Sequence, residues 1–328
     1  MTWVLLSMMY SFGMQSAKIA PTLPPPSRAA ATAAGSRSDK VAGLQYPDVD
    51  FSLQVNGNTW KWDTLAFFML PGEQRTFKIV SSDREGGFEW SASDGAFSGQ
   101  SARERTYTAP SGTGLYRVSI VRGRHAKKIN VFVMVPFRRQ DAINGYKIGT
   151  YPQRSHFTRL SLPRGFIEAT PTTINAWLSP HFRLKEFVCH EPSGFPKCVA
   201  LREGLIRKLE FLIARVQRAG VACNGLQVIS GYRTPYFNNC NGNVENSVHT
   251  YGGAADVYID SDNDGRMDDL NHDHKVDIND AILLYRLADA MEKEMPEFSG
   301  GDGYYPGNGA HGPFVHTDIR GQVSRWHE

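Results

Sequence analysis

The chain has 328 residues, 41% hydrophobic and 21% charged, with 31 Gly, 18 Pro and 4 Cys. That apolar content suffices for packed cores and excludes a wholly disordered or collagen-like chain, while the length allows about two domains at roughly 150 residues each. The net charge of +3 conceals an asymmetry: residues 256–302 carry 14 acidic and 4 basic side chains, and the remainder carries 32 basic and 19 acidic. An acidic island in a basic protein points to a cation site rather than to a nucleic-acid surface.

Residues 2–14 (TWVLLSMMYSFGM) have the length of a secretory apolar region, and the small residues Ser16, Ala17 and Ala20 follow. A basic flank is missing, since the first positive side chain is Lys18. Residues 1–20 therefore read as an incomplete export signal, with a periplasmic or extracellular destination expected. No run of about 18 apolar residues occurs, so no membrane-spanning helix is expected. Residues 21–44, rich in Pro, Ala and Ser, make a solvated tether.

From 45 to 137 short β-type runs alternate with turns: FSLQV, TWKW, RTFKIV, FEWSA, LYRVSIV and INVFVMV. Alternation in Phe51/Leu53/Val55 and Tyr116/Val118/Ile120 fits half-buried strands, and Pro71-Gly72, Asp94-Gly95 and Ser111-Gly112 supply turns. About seven strands in this span suggest an all-β immunoglobulin-like sandwich. It holds no convergent set of catalytic residue types, so a binding or spacer module with an unknown partner is expected. Residues 138–180 form a connector whose Tyr146, Tyr151, Phe166 and Trp177 should pack onto a neighbouring domain.

The cysteines are Cys189, Cys198, Cys223 and Cys240, with no C-x-x-C pair. Proximity favours Cys189–Cys198 and Cys223–Cys240 as staples in an oxidising compartment, and four buried free thiols are the alternative.

The last domain, 181–328, opens with a helix at 201–219 bearing Leu205, Leu209, Leu212 and Val216 on one face. Strands are expected at 226–229, 255–259 and 314–319. His249, Asp256 and His316 have the chemistry of a zinc site, three protein ligands leaving a fourth position for water. Gly252-Gly253 lets the backbone turn between the first two, and His316 and Asp318 share a strand face.

The pattern S-x-H-x-x-G-x-A-x-D, preceded by S-G-Y-R and followed by H-x-x-x-x-H-x-D, resembles the zinc D-Ala-D-Ala carboxypeptidases of the lysostaphin, D-alanyl-D-alanine metallopeptidase and Hedgehog structural group. The matching residues are Ser230 to Arg233, then Ser247, His249, Gly252, Ala254 and Asp256, then His311, His316 and Asp318. The resemblance implies an α+β metallopeptidase domain with a small antiparallel sheet, and zinc held by His249, Asp256 and His316. Some relatives place a Glu three residues before the last histidine. Pro313 stands there in this chain, and His311 matches the branch with a catalytic histidine. The resemblance further implies that Arg233 meets the substrate carboxylate or oxyanion and that Asp318 orients a ligand imidazole.

Inserted at 260–280 is an acidic segment. Asp260, Asp262, Asp264, Gly265 and Asp268 occupy positions one, three, five, six and nine of an EF-hand-like calcium loop. A second register, Asp269, Asn271, Asp273, Asp277 and Asp280, resembles a dockerin half-repeat with His274 replacing the usual Gly. Neither ends in Glu, so modest calcium affinity or a simply solvated loop are the two readings.

The resemblance implies a secreted zinc peptidase acting on D-amino-acid bonds of peptidoglycan stem peptides, as a D,D-carboxypeptidase. The alternatives are a cross-link D,D-endopeptidase, a Hedgehog-like zinc-containing wall-binding or adhesion protein without activity, and a calcium-dependent interaction protein.

Overall fold

The computed structural model describes residues 51–82, 87–308 and 311–327. The export-signal and tether segments, 1–20 and 21–44, lie outside the described residues. The architecture is mostly β, with several small, largely antiparallel sheets and few helices.

The first half holds β1 (Ser52–Val55), β2 (Asn58–Trp60), β3 (Thr64–Met69), β4 (Gln74–Val80), β5 (Glu89–Ala92), β6 (Ala96–Ser98), β7 (Glu104–Thr108), β8 (Gly114–Arg122) and β9 (His125–Val133). They form two sheets, ordered β2-β1-β4-β7-β6 and β3-β9-β8-β5. Strict alternation in β4, with Arg75, Phe77 and Ile79 inward, seals one face on the core. Trp60, Phe67 and Phe77 pack edge-on or tilted within it, at centroid separations of 5.2 and 5.4 Å.

β3, which pairs in parallel with β9, departs from alternation: five of its six residues are buried. Its outer side is covered by the last domain. Glu203 Oε1 accepts from Phe68 N at 2.9 Å and from the buried Arg75 guanidinium, and Trp62 meets Phe211 at 5.9 Å. Arg207 lies over Trp60 and Phe298 and donates to Asn58 Oδ1 at 2.7 Å.

The connector packs as expected for three of its four aromatics. It contributes the hairpin β11 (Ala142–Ile143) and β12 (Tyr146–Lys147), and β13 (Gly165–Ala169), which lies between β10 (Val135–Pro136), just before the connector, and β14 (Lys197–Val199). Tyr146, Tyr151 and Phe166 are buried, while Trp177 is 39% exposed beneath the Arg183 guanidinium.

In the last domain α1 (Glu203–Arg218), β15 (Gln227–Ser230), the one-and-a-half-turn α2 (Pro235–Cys240), β16 (Ala254–Tyr258), α3 (Ile278–Glu294), β17 (Gly301–Tyr305), β18 (Phe314–Asp318) and β19 (Ser324–His327) build one five-stranded sheet, ordered β15-β16-β18-β17-β19. α1 and α3 pack together and α3 lies against β17 and β18. No helix among the described residues is long and apolar enough to cross a membrane.

The expected disulfides Cys189–Cys198 and Cys223–Cys240 do not form; all four residues are free thiols. Cys198 is buried in β14, where burial, with Glu168 nearby, pushes its thiol up to about 12. The Cys223 thiol donates to Gly225 O at 3.3 Å, and Cys240 is exposed at the end of α2.

Behind the sheet lies a buried charge network. Lys208, 0% exposed, pairs with Glu292 and with Asp302 at 3.3 Å, and donates to Asp318 O at 2.7 Å. Arg325 contacts the same two carboxylates from the other side. Removing one partner of such a network strands the others in a low-dielectric interior. Lys208→Met is expected to lose about 3 kcal/mol of unfolding free energy in urea titration, the lower end for a broken buried pair because Arg325 remains.

Candidate metal centre

The site is assembled on the sheet by register. Asp256 on β16 faces His316 on β18 as a direct cross-strand pair, and Ser230 on β15 faces Asp256 from the other side. His249 arrives separately, on a 3-10 turn (Val248–Tyr251) that closes at Gly252. Gly252 has φ +68°, and a Cβ there would stand 2.2 Å from Ala200 O. Only glycine lets the turn tuck this tightly against the Ala200–Leu201 backbone.

Three donor atoms converge. His316 Nδ1 lies 2.9 Å from Asp256 Oδ1, His249 Nε2 lies 3.2 Å from the same oxygen, and the two ring nitrogens are 3.1 Å apart. All three residues are buried. Outer partners set the tautomers. His249 Nδ1 lies 2.7 Å from Gly231 O, so it carries the proton and leaves Nε2 bare. His316 Nε2 lies 3.1 Å from Asp318 Oδ2, which leaves Nδ1 bare. Two imidazole lone pairs and a carboxylate oxygen thus face one point, an arrangement that repels itself unless a cation or a proton lies between them.

The ionisation pattern follows. Burial lowers His249, outweighing Asp256. Burial alone would lower His316 too, but its bonds to Asp256 and Asp318 prevail and push it up to about 9. Burial opposes ionisation of Asp256, yet His249 and His316 hold it well below the ordinary carboxylate range. The donor set, one carboxylate and two neutral imidazoles, is one that divalent zinc accepts, and tetrahedral ligands at about 2.0–2.1 Å stand roughly 3.3 Å apart, close to these separations.

The other expected residues occupy different places. Arg233 grips the far side of the cluster: Nη2 donates to Asp256 Oδ2 at 2.9 Å and Nε to Ser230 Oγ at 2.9 Å. It thereby orients Asp256 and retains only Nη1 without a bond among the described residues. Asp318, 0% exposed, touches His316 alone of the three, and Arg320 and Gly301 N bind its other lone pairs. It is a positioning residue. His311 is not brought into the cluster: its Nδ1 lies 2.9 Å from Gly312 O and its Nε2 2.9 Å from Asn308 Nδ2, with the ring edge-on to Phe314.

Sequence reasoning missed the aromatic wall beside His316. The Trp326 ring lies 5.1 Å from it, donating its indole N–H to Tyr305 OH at 2.6 Å. This fit needs Gly303, where a Cβ would stand 2.3 Å from the indole nitrogen. The unbroken small-residue run Gly300-Gly301-Asp302-Gly303 was the available signal.

Within the acidic insertion, carboxylate oxygens of Asp260, Asp262 and Asp268 lie within 4.8 Å of one another. Its two loops share one bonding pattern nine residues apart. Asp264 N and Gly265 N donate to Asp260, and Asp273 N and His274 N donate to Asp269. Gly265 and His274 both take positive φ, +83° and +66°. Asp277 and Asp280 are used differently, as the capping box of α3, with Asp280 also accepting from Leu270 N and Asn271 N.

No protein-family model and no curated protein matches the chain. Two solved structures resemble parts of it. One is the Yersinia pseudotuberculosis adhesin InvE, with 13% identity over 26% of this chain and 27% of that one, at a TM-score of 0.18. The other is the M1 domain from titin, with 13% identity over 24% of this chain and 92% of the domain, at a TM-score of 0.16. The chain spans about a quarter of the adhesin's length. Neither resemblance carries a functional argument.

The tightness at Gly252 gives a test of how the histidine turn is held. Gly252→Ala is expected to cost about 1–3 kcal/mol in chemical denaturation, the range for forced overpacking, and to displace His249 from the cluster.

Proposed function

We propose that the chain is a zinc metallopeptidase that hydrolyses D-amino-acid peptide bonds in peptidoglycan stem peptides outside the cytoplasm. The observation that carries this reading is the convergence of His249 Nε2, His316 Nδ1 and Asp256 Oδ1, three buried atoms that can each offer a lone pair to a metal ion. The motif resemblance supplies the substrate class.

Zinc held by these three residues would supply Lewis acidity and a lowered pKa for bound water. The chain's own groups do the rest. Asp318 keeps the His316 proton on Nε2, and Gly231 O does the same for His249 Nδ1. Arg233 holds Asp256 in place. His311 is the proposed acid/base group. With Nδ1–H bonded to Gly312 O, its Nε2 accepts from Asn308, and exchanging that partner for a reacting water or amine frees the lone pair for proton transfer.

The purified protein is expected to carry one zinc, lost in His249→Ala, Asp256→Ala and His316→Ala by metal analysis. His311→Ala should keep the zinc and lose on the order of 100-fold in turnover, as acid/base groups do. Stoichiometric zinc in His316→Ala would refute the ligand set. Zinc without turnover of any stem peptide would favour the non-catalytic wall-binding alternative.

Carboxypeptidase and endopeptidase readings divide on Arg233. A terminal carboxylate needs a free cation, and Asp256 and Ser230 already use two of the three guanidinium nitrogens. That observation favours keeping the cross-link endopeptidase as a second reading. A peptide ending in D-Ala-D-Ala compared with its C-terminal amide decides. Carboxylate recognition predicts a loss of about 1.5–3 kcal/mol in transition-state stabilisation on amidation, and equal rates support the endopeptidase.

The acidic loops are proposed to bind calcium and order the insertion, with Asp260, Asp262 and Asp268 as the first ligands. Millimolar calcium should then raise the melting temperature of the wild type and not of Asp260→Asn. An equal rise in both, or none, would favour a solvated loop.

A further inference from the structure

A cavity of about 340 Å³ opens between the β-sandwich and the last domain, lined among others by Arg75, Arg159, Arg164, Arg202 and Glu203. Four guanidinium groups face one carboxylate there. Arg75 is spent on Glu203 and on Phe68 O at 3.3 Å. Arg164 donates Nη2 to both oxygens of Glu73, at 2.9 and 3.1 Å.

Arg164 keeps Nε and Nη1 without a bond among the described residues, and Arg202 and the exposed Arg159 also keep free donors. Arg202 donates Nε to Tyr251 O at 3.1 Å and Nη2 to Ser161 O at 2.5 Å, leaving Nη1 with no hydrogen bond among the described residues. Arg159 makes neither a hydrogen bond nor an ion pair among the described residues, and its stem lies across Gly321, where a Cβ would stand 2.6 Å away. Burial disfavours the Arg202 charge; Tyr151 opposes that effect, while Arg164 adds like-charge repulsion.

A further source of positive potential opens here. The sixteen-residue α1 begins at the cavity with Arg202 as N-cap, and no side-chain bond caps its first turn. Glu203 offsets this end only in part, since its Oε1 is shared with Arg75 and Phe68 N. Uncapped N–H groups and unspent guanidinium donors around one concavity favour an anion.

We infer that this cavity binds an oxyanion group, phosphate or carboxylate, between Arg159, Arg164 and Arg202. Its volume is at the small end of ligand sites, so the ligand is a compact polyanion or the charged end of a longer molecule. The inference is independent of the metal-centre reading, since none of the three metal ligands lines the cavity.

The test is calorimetric titration of the full chain with pyrophosphate and, separately, with citrate, at ionic strength held constant with chloride. Wild type should bind at least one probe saturably at a single site; preference for pyrophosphate identifies a phosphate ligand and preference for citrate a carboxylate. Arg159→Gln, which breaks no bond in the fold, should weaken binding about tenfold or more. Arg154→Gln, an exposed arginine outside the cavity, should leave it unchanged. Absence of saturable binding by either probe, or equal binding by Arg159→Gln, would overturn the site. So would equal weakening by both variants, which would mark diffuse charge attraction.

Discussion

Asp256 and His316 stand opposite each other on adjacent antiparallel strands, with a second imidazole brought to within 3.2 Å of the same carboxylate oxygen. At that spacing the two imidazoles and the carboxylate need a proton or a cation between them, because burial removes the water that would otherwise screen bare lone pairs. The surrounding structure holds the repulsive arrangement together. Gly231 O and Asp318 fix the outer ring nitrogens, Arg233 balances the carboxylate from behind, and Gly252 anchors the turn carrying His249. A proton on His316 relieves the repulsion, and a divalent cation in its place would relieve it as well.

Support for the cluster extends well behind it. Asp318, which orients His316, has its own backbone carbonyl held by Lys208 from α1, and Lys208 is in turn balanced by Glu292 on α3 and Asp302 on β17. Arg325 on β19 closes the network. Both helices and two further strands thus bear on the rotamer of one imidazole. In a close-packed interior, a volume or charge change on α1 would reach the cluster without touching it.

The β-sandwich does not stand apart from the last domain. Glu203, at the first turn of α1, bonds to the β3 backbone and to Arg75 on β4, and Arg207, one turn on, reaches Asn58 and the Trp60 ring. One helix therefore carries contacts to the sandwich on its N-terminal turns and, in its middle, the lysine that braces the His/Asp cluster. The same helix start borders the arginine-lined cavity.

The sequence by itself determined the elements whose residues serve a local purpose. Alternation marked β1 and β8, a β-type run marked β4, the i, i+3, i+4 apolar pattern marked α1, and the motif resemblance pointed to His249, Asp256 and His316. The regular spacing of aspartates also exposed the paired loops, because each aspartate there bonds backbone N–H groups only a few residues away. Strand β3 escaped notice because both faces are covered, one by the sandwich and one by α1, which erases the alternation that a half-exposed strand displays. Local proximity likewise suggested disulfides that do not form, since the orientation of a thiol is set by whatever packs around it and not by loop length. Only the tertiary structure decided that Arg233 turns back onto Asp256, that His311 bonds to Asn308, and that Trp326 stands beside His316. Each of those contacts joins residues whose partner is chosen by strand register or loop path, and a side chain's chemistry is silent about its neighbour until the chain has closed around it.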